Sequence, residues 1–151
     1  MAVTYTSLVY VTGISGTRAL ALHNPALSGK TLKLLDITAV SHADSCEFEI
    51  ERWNGIPTFS GGATNPAIYQ SDSASAAQVG VVTLDASLDV SALTVNWARD
   101  VQTLLADAGD DTSLLFYVPD SCKPVLNAGE SITVTMPTGV ADYELNFYWE
   151  E

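Results

Sequence analysis

From residue 131 to 151 apolar and polar residues alternate with a period of two. Ile132, Val134 and Met136 are separated by Ser131, Thr133 and Thr135. After the turn-forming stretch PTGVAD, Tyr143, Leu145, Phe147 and Trp149 alternate with Glu144, Asn146, Tyr148 and Glu150. Successive side chains of a strand point to opposite faces, so this pattern predicts two half-buried antiparallel strands joined by a short loop. Cys46, Phe48 and Ile50 alternate in the same way with Glu47, Glu49 and Glu51, and Leu20 and Leu22 with Ala19 and Ala21. Short apolar runs also occupy 7–12, 68–70, 79–84 and 114–118. Between them lie the turn-formers GISG, NPALSG, NGIP, SGGATNP, DAGDD and NAGE. At least eight short strands with such punctuation predict an all-β fold, an antiparallel β-sandwich or barrel.

One segment breaks the period. In ALTVNWARDVQTLLADAG, the residues Leu93, Trp97, Val101, Leu104 and Leu105 fall at helical spacing, with Gly109 as a stop. This predicts at most one short helix near 97–108. Because Thr94, Val95 and Asn96 are indifferent helix formers, the competing reading is a strand ending near Trp97 followed by a helical turn.

Composition narrows the picture. A chain of 151 residues with no repeat and no linker reads as one domain, 1–151. At this length a single core can bury roughly 68–70% of the surface of the unfolded chain. Hydrophobic residues make up 47% and charged residues 16%, which argues against disorder. With 18 Asp and Glu against 6 Lys and Arg the net charge is −12. Such a chain is repelled by phosphate backbones, so nucleic acid is an improbable partner and a neutral or basic surface a better one. No run approaches 18 apolar residues, and the start, MAVTYTSLVYVTG, lacks the basic region and apolar stretch of a secretion signal. The expectation is a protein made in a reducing cytosol, with no membrane span. Cys46 and Cys122 lie 76 positions apart without CxxC spacing, which fits two free thiols better than a disulfide.

Candidate chemistry is sparse. The stretch NPALSGKT ends as a phosphate-binding P-loop does, but Asn24 stands in place of the first glycine and Pro25 removes an amide. LKLLDITAV then continues as a strand where the cradle needs a helix. The stretch therefore reads as a turn, with no nucleotide. GISG lacks the spacing of a nucleophile elbow, and only His23 and His42 could serve a triad. His23 borders a turn and His42 lies in a polar SHADS loop, both read as surface positions. Asp107, Asp110 and Asp111 of DAGDD are oxygen donors without the frame of a calcium loop. No catalytic residue, cofactor or metal is expected. In CEFEIE, Glu47, Glu49 and Glu51 share one face while Cys46, Phe48 and Ile50 face the core. The plain reading is a solvated face, and the functional one is a contact surface for a basic partner.

Taken together, LALHNPALSGKTLKLLDITAV, FEIERW with the later GG, and KPVLNAGESITVT with YELNFYWEE form an ordered pattern. It resembles the small single-domain β-sandwich proteins encoded among the virion genes of tailed bacteriophages. The elements are Asn24, Pro25, Ser28, Gly29 and Lys30; Arg52, Gly61 and Gly62; Pro124, Leu126, Gly129 and Glu130; and the acidic tail after Trp149. The pattern extends over about 110 residues and leaves the stretch from Gln70 to Asp111 unmatched. The resemblance implies a jelly-roll-like sandwich acting as a capsid decoration, or cement, protein on the virion surface. Its partner would be the major capsid protein, and it would stand as a homotrimer on the particle. A tail- or fibre-associated virion protein is the neighbouring alternative. A carbohydrate-binding module is the alternative of another class, with Trp53, Tyr69, Trp97 and Tyr117 as stacking candidates.

Overall fold

The computed structural model describes residues 3–14, 18–41, 47–71, 78–102, 112–116, 123–138 and 141–151. Every regular element among them is a strand. The longer ones are β1 (Thr4–Ile14), β2 (Arg18–His23), β3 (Leu32–Ser41), β4 (Glu47–Trp53), β7 (Val95–Gln102), β8 (Thr112–Phe116), β10 (Ser131–Thr138) and β11 (Ala141–Glu150). Three short ones are β5 (Tyr69–Gln70), β6 (Val81–Leu84) and β9 (Val125–Leu126). Sheet A runs β5-β1-β11-β3-β8, with β9 also on β3, and sheet B runs β6-β2-β10-β4-β7. All pairings are antiparallel.

The eight longer strands pass from one sheet to the other at each step, save that β4 and β7 are neighbours in sheet B. This is the winding of a jelly roll. It corrects one reading of the C-terminal alternation. β10 and β11 are consecutive but do not pair: β10 lies between β2 and β4, and β11 between β1 and β3. The helical spacing at 93–105 also yields to the sheet, since β7 pairs with β4 from Val95 to Gln102. Residues 103–108 of the expected helix lie outside the described residues.

The core fills the space between the sheets. Sheet A contributes Tyr5, Val9, Val11, Leu34, Ile37, Leu145, Phe147 and Trp149, and sheet B contributes Leu20, Leu22, Ile50, Val82, Ile132 and Val134. Each large side chain so buried stabilises by roughly 1.5–3 kcal/mol. Trp149 stacks on Tyr5 with ring centroids 5.8 Å apart. Beside it, a Cβ on Gly80 would lie 2.8 Å from both Leu32 Cδ2 and Trp149 Nε1, so only glycine lets that backbone pass.

Between β4 and β7 the chain makes an excursion that includes the edge strands β5 and β6. Its first part, 54–65, roofs the outer face of sheet B. Ser131 Oγ donates to the Gly55 carbonyl (2.7 Å), Phe59 packs on His23 (5.5 Å), and Thr83 Oγ1 donates to Asn65 Oδ1 (3.1 Å). Isolated bridges join Thr64 to Leu84 and Thr58 to Asp89. Beneath this cover Ala19, Ala21, Ser131 and Thr133 have no exposure, so residues 131–135 of β10 are buried on both faces rather than half-buried.

Candidate functional site

The acidic strand is not the open surface its alternation suggests. Ile50 is in the core as expected, but Glu51 is only 4% exposed and its carboxylate accepts a bond from Thr135 Oγ1 at 3.5 Å. Glu49, Glu51 and Trp53 share the outer face of sheet B, where Trp53 lies buried and donates from Nε1 to Thr133 Oγ1 (2.8 Å). Glu49 is half-buried, and the Glu47 side chain, like Cys46, lies outside the described residues. Glu51 is therefore no solvated steering group.

His23 is likewise not a surface histidine. Its ring is largely buried against Phe59, its Nδ1 is buried without a hydrogen-bond partner, and burial lowers its pKa from 6.5 to about 4. A neutral, cornered imidazole of this kind is packing. Nearby, Asp85 fastens the roof. Its buried carboxylate accepts the Ser60 amide, the Ser60 hydroxyl (2.7 Å) and the Ser87 amide (2.9 Å). Burial alone would raise its pKa, but these bonds outweigh burial and hold it below the usual carboxylate range. Among the described residues no group of three His, Cys, Asp or Glu could hold a metal. His42, Cys122, Tyr117 and 107–111 lie outside the described residues.

The stretch NPALSGKT is a turn between β2 and β3, as its sequence implies. Asn24 is fully buried, and its Nδ2 donates to the carbonyls of Lys30 (2.9 Å) and Leu126 (3.0 Å). Its backbone amide donates to Glu130, and its carbonyl accepts from Gly129. Through its side chain and its backbone Asn24 thus ties the 24–31 turn to the 123–130 segment. At the tip sits a residue that sequence reasoning passes over. Leu27 is 97% exposed at φ 64, the only positive-φ non-glycine among the described residues. A bulky side chain rarely adopts that conformation. The signal was present as a lone leucine inside a run of turn-formers.

Two further exposed apolar residues, Val95 and Val125, belong to the same end of the sandwich. Arg52 links their neighbourhoods, donating from Nε to Asn96 Oδ1 (2.8 Å) and from Nη1 to the Val125 carbonyl (3.2 Å). Lys30 and Lys33 pair with Glu151 (3.5 Å) and Glu150 (3.7 Å) at this end. Lys123, which precedes β9, acts on Asp36 of β3. Four of the six Lys and Arg residues thus gather at one end of a strongly acidic molecule.

Among the described residues, the outer face of sheet A has no roof of the kind that covers sheet B. Leu8 is 53%, Tyr10 51% and Tyr69 62% exposed on it. Across the strands Tyr69 stands opposite Thr6, Thr6 opposite Tyr148 and Tyr148 opposite Asp36. A cleft of about 470 Å³ lined by Ile68, Tyr69, Gln70 and Gln78 lies beside Tyr69. A second, of about 340 Å³, is lined by Thr4, Leu35, Asp36, Thr38 and Tyr148. Burial raises the Asp36 pKa despite the opposing Ile37 amide bond and Lys123 charge. Of the aromatic residues expected to stack on a ligand, Trp53 is buried, Trp97 packs half-buried against the core, and Tyr69 is open. No family model, no curated protein and no solved structure matches this chain.

Proposed function

We propose that this chain is a structural protein of a tailed-bacteriophage virion, a decoration protein that binds the outside of the assembled capsid and stabilises it without catalysis. Its partner is the major capsid protein, and its place is the virion surface. The sandwich fold and the ordered sequence elements quoted above support this reading. The observation that carries it is Leu27. A leucine held in the left-handed region costs folding free energy, about 1–3 kcal/mol for such strained positions, and such strain clusters at functional sites. Here it is held by the bonded base at Asn24 and displayed at the tip of the turn, at the end of the sandwich that also exposes Val125 and Val95.

Docking through that end also suits the electrostatics. Its four cationic residues are matched there by Asp36, Glu130, Glu150 and Glu151, so this end is near neutral within a −12 chain. Apolar contacts then hold the complex, while rim charges set the association rate. The Glu47–Glu49–Glu51 face is dropped as the contact, because Glu51 is buried.

The experiment adds purified protein to undecorated heads and follows occupancy and heat-induced rupture. Wild type should bind and raise the rupture temperature. Leu27→Asn, which suits a positive φ, should keep or raise the melting temperature of the free protein and weaken attachment about tenfold. Failure of wild type to bind expanded heads, or its localisation to the tail, would sink the decoration reading.

A further inference from the structure

We infer that the outer face of sheet A is a second binding face, for an uncharged oligosaccharide laid across the strands between Tyr69 and Tyr148. This site is separate from the Leu27 end and does not depend on what that end attaches to. The backbone register builds a row of alternating size, Tyr69–Thr6–Tyr148, across β5, β1 and β11. Adjacent strands are about 4.8 Å apart, so the two rings stand about 10 Å apart with a low threonine floor between them. Each tyrosine walls one cleft, the first of about 470 Å³ and the second of about 340 Å³. Both volumes are in the roughly 300–1,000 Å³ range of small-ligand sites. The second cleft opens on the outer face itself, beside Tyr148, whereas the first lies around the edge of β5, because Gln70 shares the face of Tyr5 while Tyr69 shares that of Thr6.

The polar groups along the row favour sugar over other occupants. Thr4, Thr38 and Asp36 on the outer face, with Gln70 and Gln78 around the edge of β5, can bond hydroxyl groups in both directions. Aromatic platforms with bases stacked on them also hold single-stranded nucleic acid, but those sites need a cationic groove. The charged residues of this face include Asp36, Glu144 and Glu150, and Lys33 is paired with Glu150. Anionic polymers, sulfated or uronic glycans included, are repelled for the same reason. An uncharged glycan offers hydroxyl groups for the amides and carboxyl, and apolar ring faces for the tyrosines.

The test is affinity electrophoresis of the full chain through gels containing dextran, a β-glucan, a galactomannan, a xylan or polygalacturonate. At least one neutral polysaccharide should retard wild type, and polygalacturonate should not. Tyr69→Ala should weaken that retardation about tenfold with an unchanged melting temperature, because the side chain is mostly exposed. Tyr148→Leu, which keeps cover over the sheet and removes the ring, should do the same. Leu27→Asn should leave it unaltered. Migration unaffected by every neutral polysaccharide would overturn the inference, as would retardation that survives Tyr69→Ala or occurs only in polygalacturonate. Loss of head binding in Tyr69→Ala would also overturn it, by showing that this face docks protein.

Discussion

The two outer faces of the sandwich are built from the same alternating strands and have opposite fates. On sheet B, Ala19, Ala21, Ser131, Thr133 and Thr83 are small or hydroxylic, and the 54–65 segment lies on them. On sheet A, the equivalent outward positions hold Leu8, Tyr10 and Tyr148, with Tyr69 beside them on β5. Small residues let a second layer of backbone approach, whereas bulky aromatic residues fill that space themselves. The covered face therefore contributes stability, while the other keeps its tyrosines exposed among the described residues. Exposed polar and apolar side chains alike should matter little to folding on the second face and much on the first.

The largest expected difference is at Asp85. Removing its carboxylate in Asp85→Ala leaves the Ser60 and Ser87 donors without their acceptor and unfastens the roof, which should cost about 3 kcal/mol in chemical denaturation. Tyr10→Ala on the open face should change stability by less than about 1 kcal/mol.

His23 sharpens the contrast through pH. Its folded pKa is near 4 and its unfolded value near 6.5, so between those values the unfolded chain binds more protons. Stability contributed by the neutral ring is complete above about pH 6.5, falls as the pH drops towards 4 and levels off below. The total is at most about 3 kcal/mol. His23→Leu should remove this slope between pH 7 and 4.5 in parallel denaturant titrations. Asp85 acts lower, since its depressed pKa keeps its contribution until the pH falls through the folded value.

A matched pair gives the smallest and cleanest comparison. Thr133→Val deprives the buried Trp53 Nε1 of its acceptor and should cost about 1–2 kcal/mol. Thr6→Val, at the same kind of alternating position on the open face, should change the melting midpoint by less than about 0.5 kcal/mol in free energy. Equal effects would mean that the roof does not distinguish the faces.

Much of this fold was legible in sequence. The period of two located β2, β4, β10 and β11, and the short apolar runs overlapped β1, β5, β6 and β8. Sheet membership was not legible, because alternation reports that one side of a strand is wet and says nothing of its neighbours. Adjacent strands such as β10 and β11 were separated by the long-range winding. The roof was equally hidden: NGIP and SGGATNP read as loop, and a loop's resting place over Ser131 and Thr133 is tertiary information. Glu51, whose alternation was read correctly, was likewise assigned the wrong environment. The 93–105 spacing misled for a related reason, since pairing with β4 overrode a weak local preference at Val95 and Asn96. The turn at NPALSGKT was readable from Asn24 and Pro25, yet Leu27 at its tip became significant only with its φ and exposure.

In the proposed orientation the Leu27 end meets the shell and the outer face of sheet A looks outward. A reconstruction of heads mixed with the purified protein tests it most directly. The expected density places the turn at 24–31 against the major capsid protein, in sets of three copies, with Tyr69 and Tyr148 facing solvent. Density with the outer face of sheet A pressed on the shell, or heads that stay bare, would contradict it.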